Sequence, residues 1–345
     1  MMFNTGLLAP FLTRARRSSA AVTAAISDAA QPSAPVMVPA SDDAVQMLTP
    51  APPEMRKFSS LKEFDEFDRE LLSGRYNDVI SILSNSYYEP PELYEMPSDP
   101  FSDEYTAAVL KIHADISGRA HYDAGTMEAT PVTYEHMIAT PAAYTDQGKS
   151  LGNYLESYGQ LIQKLEIQSG MSIVEFGCGD AEISLHLARA GCAVTVVDIE
   201  QTYIDVVREK AQRFHVPIEA ICAGFGADIG SRAFDRAFFY QSFHHAIDHR
   251  GMLTKLGRML KSDGIIVFGT EPIIDPAGPW RHAVPYPWGP RLDGLSLRAM
   301  RSYGWMELGF QEGYFFEMLD RQEWTHEMHK SDTNGLVFNI VAKRR

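Results

Sequence analysis

Apolar positions fall into two regimes along the chain. Between residues 172 and 269 they form short continuous runs, at 173–176, 193–197, 219–222, 235–240 and 264–269, that read as buried strands. Stretches of helical period separate them, at 181–190, 201–214 and 249–260. Short buried strands alternating with helices predict an α/β unit with a mostly parallel sheet. After a loop rich in Pro, Gly and Trp, a helix is expected over 295–306. Two closing strands, at 311–316 and 336–342, should follow as a hairpin-like finish.

Upstream the period is helical throughout. Phe58, Leu61, Phe64, Phe67, Leu71 and Leu72 recur on one face, and Ser59 or Ser60 is placed to cap that helix. Further helices are expected over 76–83, 105–116, 134–138 and 151–165. The aromatic face around Phe64 must be buried, against the C-terminal part or against a second chain, so a homo-oligomer is one expectation. Residues 1–55 differ in kind: rich in Ala, Ser and Pro, they are expected to be a disordered or targeting segment. The predicted organisation is therefore 1–55, a helical extension and substrate cap over 56–148, and a catalytic domain over 149–345.

Charge narrows the partners. Forty-five acids against 31 Lys and Arg give a formal net charge of -14, which opposes nucleic acid as a partner. No uninterrupted apolar run reaches the length of a membrane span. The three cysteines, Cys178, Cys192 and Cys222, offer neither a disulfide framework nor a paired metal motif, and are expected to be buried thiols. A reducing, cytoplasmic setting fits. An organellar one is the alternative, because the first 27 residues contain Arg14, Arg16 and Arg17 but no acid.

The chemistry concentrates where the first strand turns into its helix, at Glu175-Phe176-Gly177-Cys178-Gly179-Asp180-Ala181-Glu182. Glycines at such a turn let a ligand approach the backbone, and Asp198 at the end of the next strand has the spacing that suits a ribose diol. A dinucleotide fold would want a third Gly or Ala where Glu182 stands. A carboxylate there is a poor neighbour for pyrophosphate. Glu175 ahead of the glycines points instead to a cationic ligand.

Residues 173–181 resemble the first motif of the class I S-adenosylmethionine-dependent methyltransferases, with Ala181 replacing a third glycine. Residues 194–199, 243–245 and 260–267 resemble later motifs of that family, so the similarity covers about 150–342. The resemblance implies a Rossmann-like, mostly parallel seven-stranded sheet with flanking helices, here with a helical N-terminal extension, and S-adenosylmethionine as cofactor. By position, Glu175 would meet the methionine amino group. Gly177 and Gly179 would run beneath the ligand, Asp198 would accept the ribose hydroxyls, and Ile199 would lie against adenine. Phe225, with a backbone group or Asp228, would complete the adenine site, and Gln241 would line the cofactor.

Methyl transfer to a hydroxyl also needs the acceptor's proton removed. His245 and His244, just after the fourth strand, and Glu271, after the fifth, are the candidate bases. Tyr122, Glu128, Tyr134 and His136 are candidates to complete the pocket. Trp280, Tyr286 and Trp288, with His282 and Arg291, form a stiff loop suited to stacking on a sugar. The expected reaction is O-methylation of a small polar acceptor such as a sugar or glycoconjugate. N-methylation of an amine or protein, and a non-catalytic assembly role, are the alternatives. No metal is expected: His244, His245, Asp248 and His249 match no zinc spacing, and adjacent histidines in regular structure seldom face one site.

Overall fold

A seven-stranded sheet forms the centre of the computed structural model, which describes residues 55–71, 79–129, 132–139, 148–230, 233–331 and 337–345. The expected disordered or targeting segment, and the first turn of the helix expected over 76–83, lie outside the described residues. Two short strands of the extension, β1 (Arg56–Phe58) and β2 (Ser86–Tyr88), pair in parallel. The main sheet begins with β3 (Ser172–Phe176), β4 (Ala193–Asp198), β5 (Ile218–Cys222), β6 (Phe234–Tyr240) and β7 (Leu260–Gly269). A small second sheet joins β8 (Ile273–Ile274), β9 (Trp288–Pro290) and β10 (Leu308–Gln311). The chain closes with β11 (Trp324–Lys330) and β12 (Phe338–Arg344).

The main sheet runs β11-β12-β7-β6-β3-β4-β5. β3 pairs in parallel with β4 and β6, and β6 with β7, whereas β12 is antiparallel to both β7 and β11. Strand order therefore reverses at β3, whose two neighbours lead to opposite edges. That is where a ligand crevice opens beyond the strand ends. β3, β6 and β7 carry Val174, Phe176, Phe239 and Phe268, all fully buried, because helices cover both faces.

One expectation is corrected. Residues 311–316 are not a closing strand: β10 stops at Gln311, and Glu312–Arg321 is a helix. The aromatic run was misleading because Tyr314, Phe315, Met318 and Leu319 are buried together at helical spacing. The antiparallel finish is instead β11 against β12.

In the extension, Ser60 Oγ accepts from Glu63 N and caps the helix Leu61–Glu70, which buries Phe64 and Phe67. Each buried ring is worth roughly 1.5–3 kcal/mol. Their partners are Leu292, Leu295, Met300 and Trp305 of the same chain, so the stripe is satisfied within one molecule. Asp65 pairs with Arg301, and Asp68 lies 3.5 Å from Arg298, which fixes this helix against Gly294–Tyr303. His113 Nε2, from the helix Asp103–Ser117, sits 3.1 Å from Gly304 O and 3.0 Å from Trp305 O. Among the described residues no helix is long and apolar enough to cross a membrane.

Candidate cofactor and acceptor site

The end of β3 turns sharply at Gly177, where φ is +67° and a Cβ would stand 2.5 Å from the Ser242 Cβ. Only glycine fits there. Gly177 N donates to Val197 O at 2.8 Å, tying the turn to β4. Asp198, at the end of β4, accepts from Gly179 N and from Glu200 N, each at 2.9 Å. The carboxylate thus braces the glycine loop and the start of the next helix together. Burial raises its pKa to about 6 against those two donors.

Glu175 projects from β3 into the same region, 3 % exposed, and accepts from Ser184 Oγ at 2.5 Å. Burial, with Asp180 and Asp198 nearby, pushes its pKa to about 8. Lys210 meets Asp180 at 2.9 Å and Glu182 at 2.6 Å, so the two acids following the loop are held by one cation while Glu175 is not. A buried carboxyl with a single hydroxyl partner is a receptor for a cationic group.

A cavity of about 560 Å³ opens over this loop. Glu175, Gly177, Gly179, Asp198, Ile199, Phe225 and Gln241, the seven expected cofactor residues, all line it. Phe225 stands edge-on to Phe176 and Phe239. Asp228 does not line the cavity, and its Oδ1 instead accepts from Gly230 N at 2.9 Å. Gln241 adopts φ +51°, a conformation a non-glycine residue holds only under constraint. Its N–H donates to Gly269 O at 3.1 Å, and the bend turns the chain into the short 3-10 segment Phe243–His245.

The three candidate bases divide. His245 lines the cavity, with Nδ1 3.1 Å from Glu128 Oε2, an ion-pair distance without hydrogen-bond alignment. Burial lowers the pKa of this ring, but Glu128 and the nearby Glu307 outweigh it and raise it to about 9. Glu128 Oε1 in turn accepts from Tyr122 OH at 2.8 Å and Met306 N at 2.6 Å. Glu271 is fully buried outside the cavity lining. Its Oε1 accepts from Ser242 N and Phe243 N at 2.9 Å, and its Oε2 from His244 N at 3.2 Å. His244 Nδ1 lies 2.8 Å from the same Oε2, which makes Glu271 the cap of the 3-10 turn. His244 is also outside the lining, and burial holds its pKa well below the ordinary value.

The aromatic loop packs elsewhere than expected. Trp288 is fully buried and donates from Nε1 to Pro100 O at 2.8 Å. The Tyr286 hydroxyl accepts from Tyr94 N, and His282 stacks on Tyr87. None of these side chains lines the cavity. Rings the sequence did not single out take that place: Tyr154 and Tyr158 from the helix Gly148–Lys164, and Trp305. Tyr122 and Glu128 do line it, as expected, whereas Tyr134 does not, and the His136 side chain is outside the described ones. Cys178 and Cys192 are buried, but Cys222 is exposed at the end of the edge strand β5.

The chain is similar to known proteins over part of its length. A family model described as a methyltransferase domain matches residues 174–268, from β3 to β7. An uncharacterised methyltransferase of Schizosaccharomyces pombe is 33 % identical over 106 residues, 28 % of this chain and 37 % of that protein. An S-adenosyl-L-methionine-dependent Diels-Alderase of Talaromyces variabilis is 34 % identical over 110 residues, 30 % of this chain and 38 % of that protein. Among solved structures, an S-adenosylmethionine-dependent methyltransferase from Mesorhizobium loti has 17 % identity and a TM-score of 0.45, covering 54 % of this chain and 96 % of that one. Residues 174–268 thus match a methyltransferase domain, on a Rossmann-like, mostly parallel sheet of the class I S-adenosylmethionine-dependent type that the motifs resemble. The chain spans less than two fifths of the length of those first two relatives.

Proposed function

We propose that this chain transfers a methyl group from S-adenosylmethionine to a hydroxyl of a small polar acceptor. The observation that carries the reading is the His245–Glu128 pair, 3.1 Å apart in the wall of the cavity that Glu175 and Asp198 also line. Donor and proton-handling group would share one enclosed space, and alignment for in-line attack supplies much of the rate. Glu175 takes the donor's ammonium, Asp198 its ribose, and Phe225 with Ile199 its adenine. His245, oriented by Glu128, holds a proton at neutral pH and would share it with the acceptor oxygen, taking the acceptor's proton in the neutral form that grows as pH approaches 9; proton handling of this kind is worth about 10²–10⁴ in rate. Glu271 and His244 act as supports rather than bases: Glu271 sets the turn that presents His245.

The loop that motivated a carbohydrate acceptor is packed away, so sugar selectivity would have to come from Tyr122, Tyr154, Tyr158 and Trp305. Their faces suit a sugar ring or a phenol. Incubation with methyl-labelled S-adenosylmethionine and a panel of sugars, phenols and amines, read by mass spectrometry, tests this. A labelled ether from a sugar or phenol is expected, and a labelled amine would overturn the hydroxyl assignment. Cofactor binding with acceptor turnover but no label in the product would overturn methyl transfer itself.

A further inference from the structure

Adjacent histidines diverge in an α-helix or a strand. His244 and His245 sit on a 3-10 turn that follows the left-handed residue Gln241, and their ring centroids are 4.3 Å apart. Glu307, just before β10, reaches the same point. It is 3 % exposed, and its Oε2 makes no hydrogen bond. His244 Nε2 lies 3.6 Å from that oxygen, and one ligand atom from each of the three residues lies within 4.8 Å of the others. We propose that His244, His245 and Glu307 form a binding site for one divalent transition cation, zinc or ferrous iron in kind, at the margin of the cofactor cavity.

Three features support it. Two ligands on a tetrahedral ion with bonds of about 2.0–2.1 Å are roughly 3.3–3.4 Å apart, close to the 3.6 Å between His244 and Glu307. His244 Nδ1 lies 2.8 Å from Glu271 Oε2, and the tautomer that donates there leaves the Nε2 lone pair turned toward Glu307. A carboxylate behind an imidazole in this way fixes the tautomer that a metal needs. Finally, the surroundings are short of positive charge. Glu128, Glu271, Glu307 and Asp293 are buried or nearly so, while Arg291 is the one guanidinium among them and gives its Nε to Asp293 at 2.9 Å and Ser296 at 2.7 Å. Arg291 Nη2 stands 3.8 Å from Glu307 Oε2 and offsets part of that charge. Two imidazoles and one carboxylate suit zinc or iron(II), whereas magnesium and calcium want oxygen alone.

The site reaches the cavity through His245, and an ion would compete there with Glu128 for the ring. The inference does not depend on methyl transfer, because metal binding is measured without cofactor or acceptor. The full chain, stripped with a chelator, is titrated with Co²⁺ and followed by visible absorption, then challenged with Zn²⁺. One Co²⁺ per chain, with the strong bands of four- or five-coordination and displacement by Zn²⁺, is expected. Glu307→Gln and His244→Gln should each weaken it by roughly 100-fold or more, since even groups behind the ligands are worth about 10–100-fold. Retained binding of S-adenosylhomocysteine checks that the variants are folded. No saturable equivalent in the wild-type chain overturns the proposal, and so does Co²⁺ uptake unchanged in both variants, which would place the ion on exposed histidines such as His186 and His215.

Discussion

Binding of S-adenosylhomocysteine should move protons in a direction set by Glu175. In the free protein burial holds this carboxyl's pKa at about 8, so at pH 7 it is about nine-tenths protonated. The α-ammonium of a free amino acid, beside its own carboxylate, is essentially fully charged at that pH. If the complex pairs a carboxylate with an ammonium, it retains one proton of the roughly 1.9 that the two free groups hold at pH 7. About 0.9 proton is then released per ligand. The release falls to roughly half near pH 8 and turns to uptake only at higher pH, where the free ammonium itself titrates. Calorimetry in two buffers of different ionisation enthalpy reads this directly. Glu175→Gln should abolish the release at pH 7 and weaken binding by roughly 10- to 100-fold, the worth of a charge-assisted contact. The uncharged sulfur of this ligand confines the effect to the amino group. Negligible release by the wild-type chain at pH 7, or the same release from the variant, would refute the pairing.

The same shift predicts a stability effect of opposite use. The folded state keeps the Glu175 proton from about pH 4.5 up to about 8, where the unfolded chain has lost it, so folding free energy falls as pH rises through that window. Glu175→Gln should therefore raise the melting temperature of the ligand-free protein at pH 8.5 and change it little at pH 4.5, by thermal denaturation. Gly177→Ala forces a Cβ to 2.5 Å from Ser242 at φ +67°. It should cost about 1–3 kcal/mol in denaturant titrations and abolish cofactor binding. Glu271→Ala strips the cap from three backbone N–H groups and His244. A loss of roughly 3–5 kcal/mol is expected for a buried charged hub. In the milder Glu271→Gln, turnover with an unshifted pH profile fits a support, whereas loss of the profile's acid limb, the rise in rate as a base loses its proton, would make it the base. His245→Asn should lower kcat at least 100-fold while leaving S-adenosylhomocysteine affinity within a few-fold.

The residues proposed for the donor lie together as their spacing implies because their constraints are local. Gly177, Gly179 and Asp198 belong to one turn and two adjacent strands, so spacing in sequence maps onto spacing in the molecule. The acceptor half is built from distant pieces: Tyr122 and Glu128 from the extension, His245 after β6, and Trp305 after a helix. No periodicity relates them. Glu271 looked like a base because it follows a strand at the ligand edge, yet four inward-facing donors claim it. The loop with Trp288 reads as a stacking platform for the same positional reason, but the Trp288 ring is buried against Tyr105 and His249. The helix Glu312–Arg321 was misread since a run of aromatics carries the same hydrophobic signal in either period when it is short.

The hydrogen bond from Met306 N to Glu128 Oε1 joins the extension to the chain just ahead of β10. Because of it, the recognised methyltransferase segment, 174–268, contains the donor cradle but only part of the wall an acceptor would touch. Selection could therefore rewrite the acceptor by altering residues near 122–128 and 305–307 while the cofactor machinery stayed fixed. If the proposed acceptor wall is right, grafting a relative's extension together with its 305–307 counterpart is the minimal unit for transferring specificity.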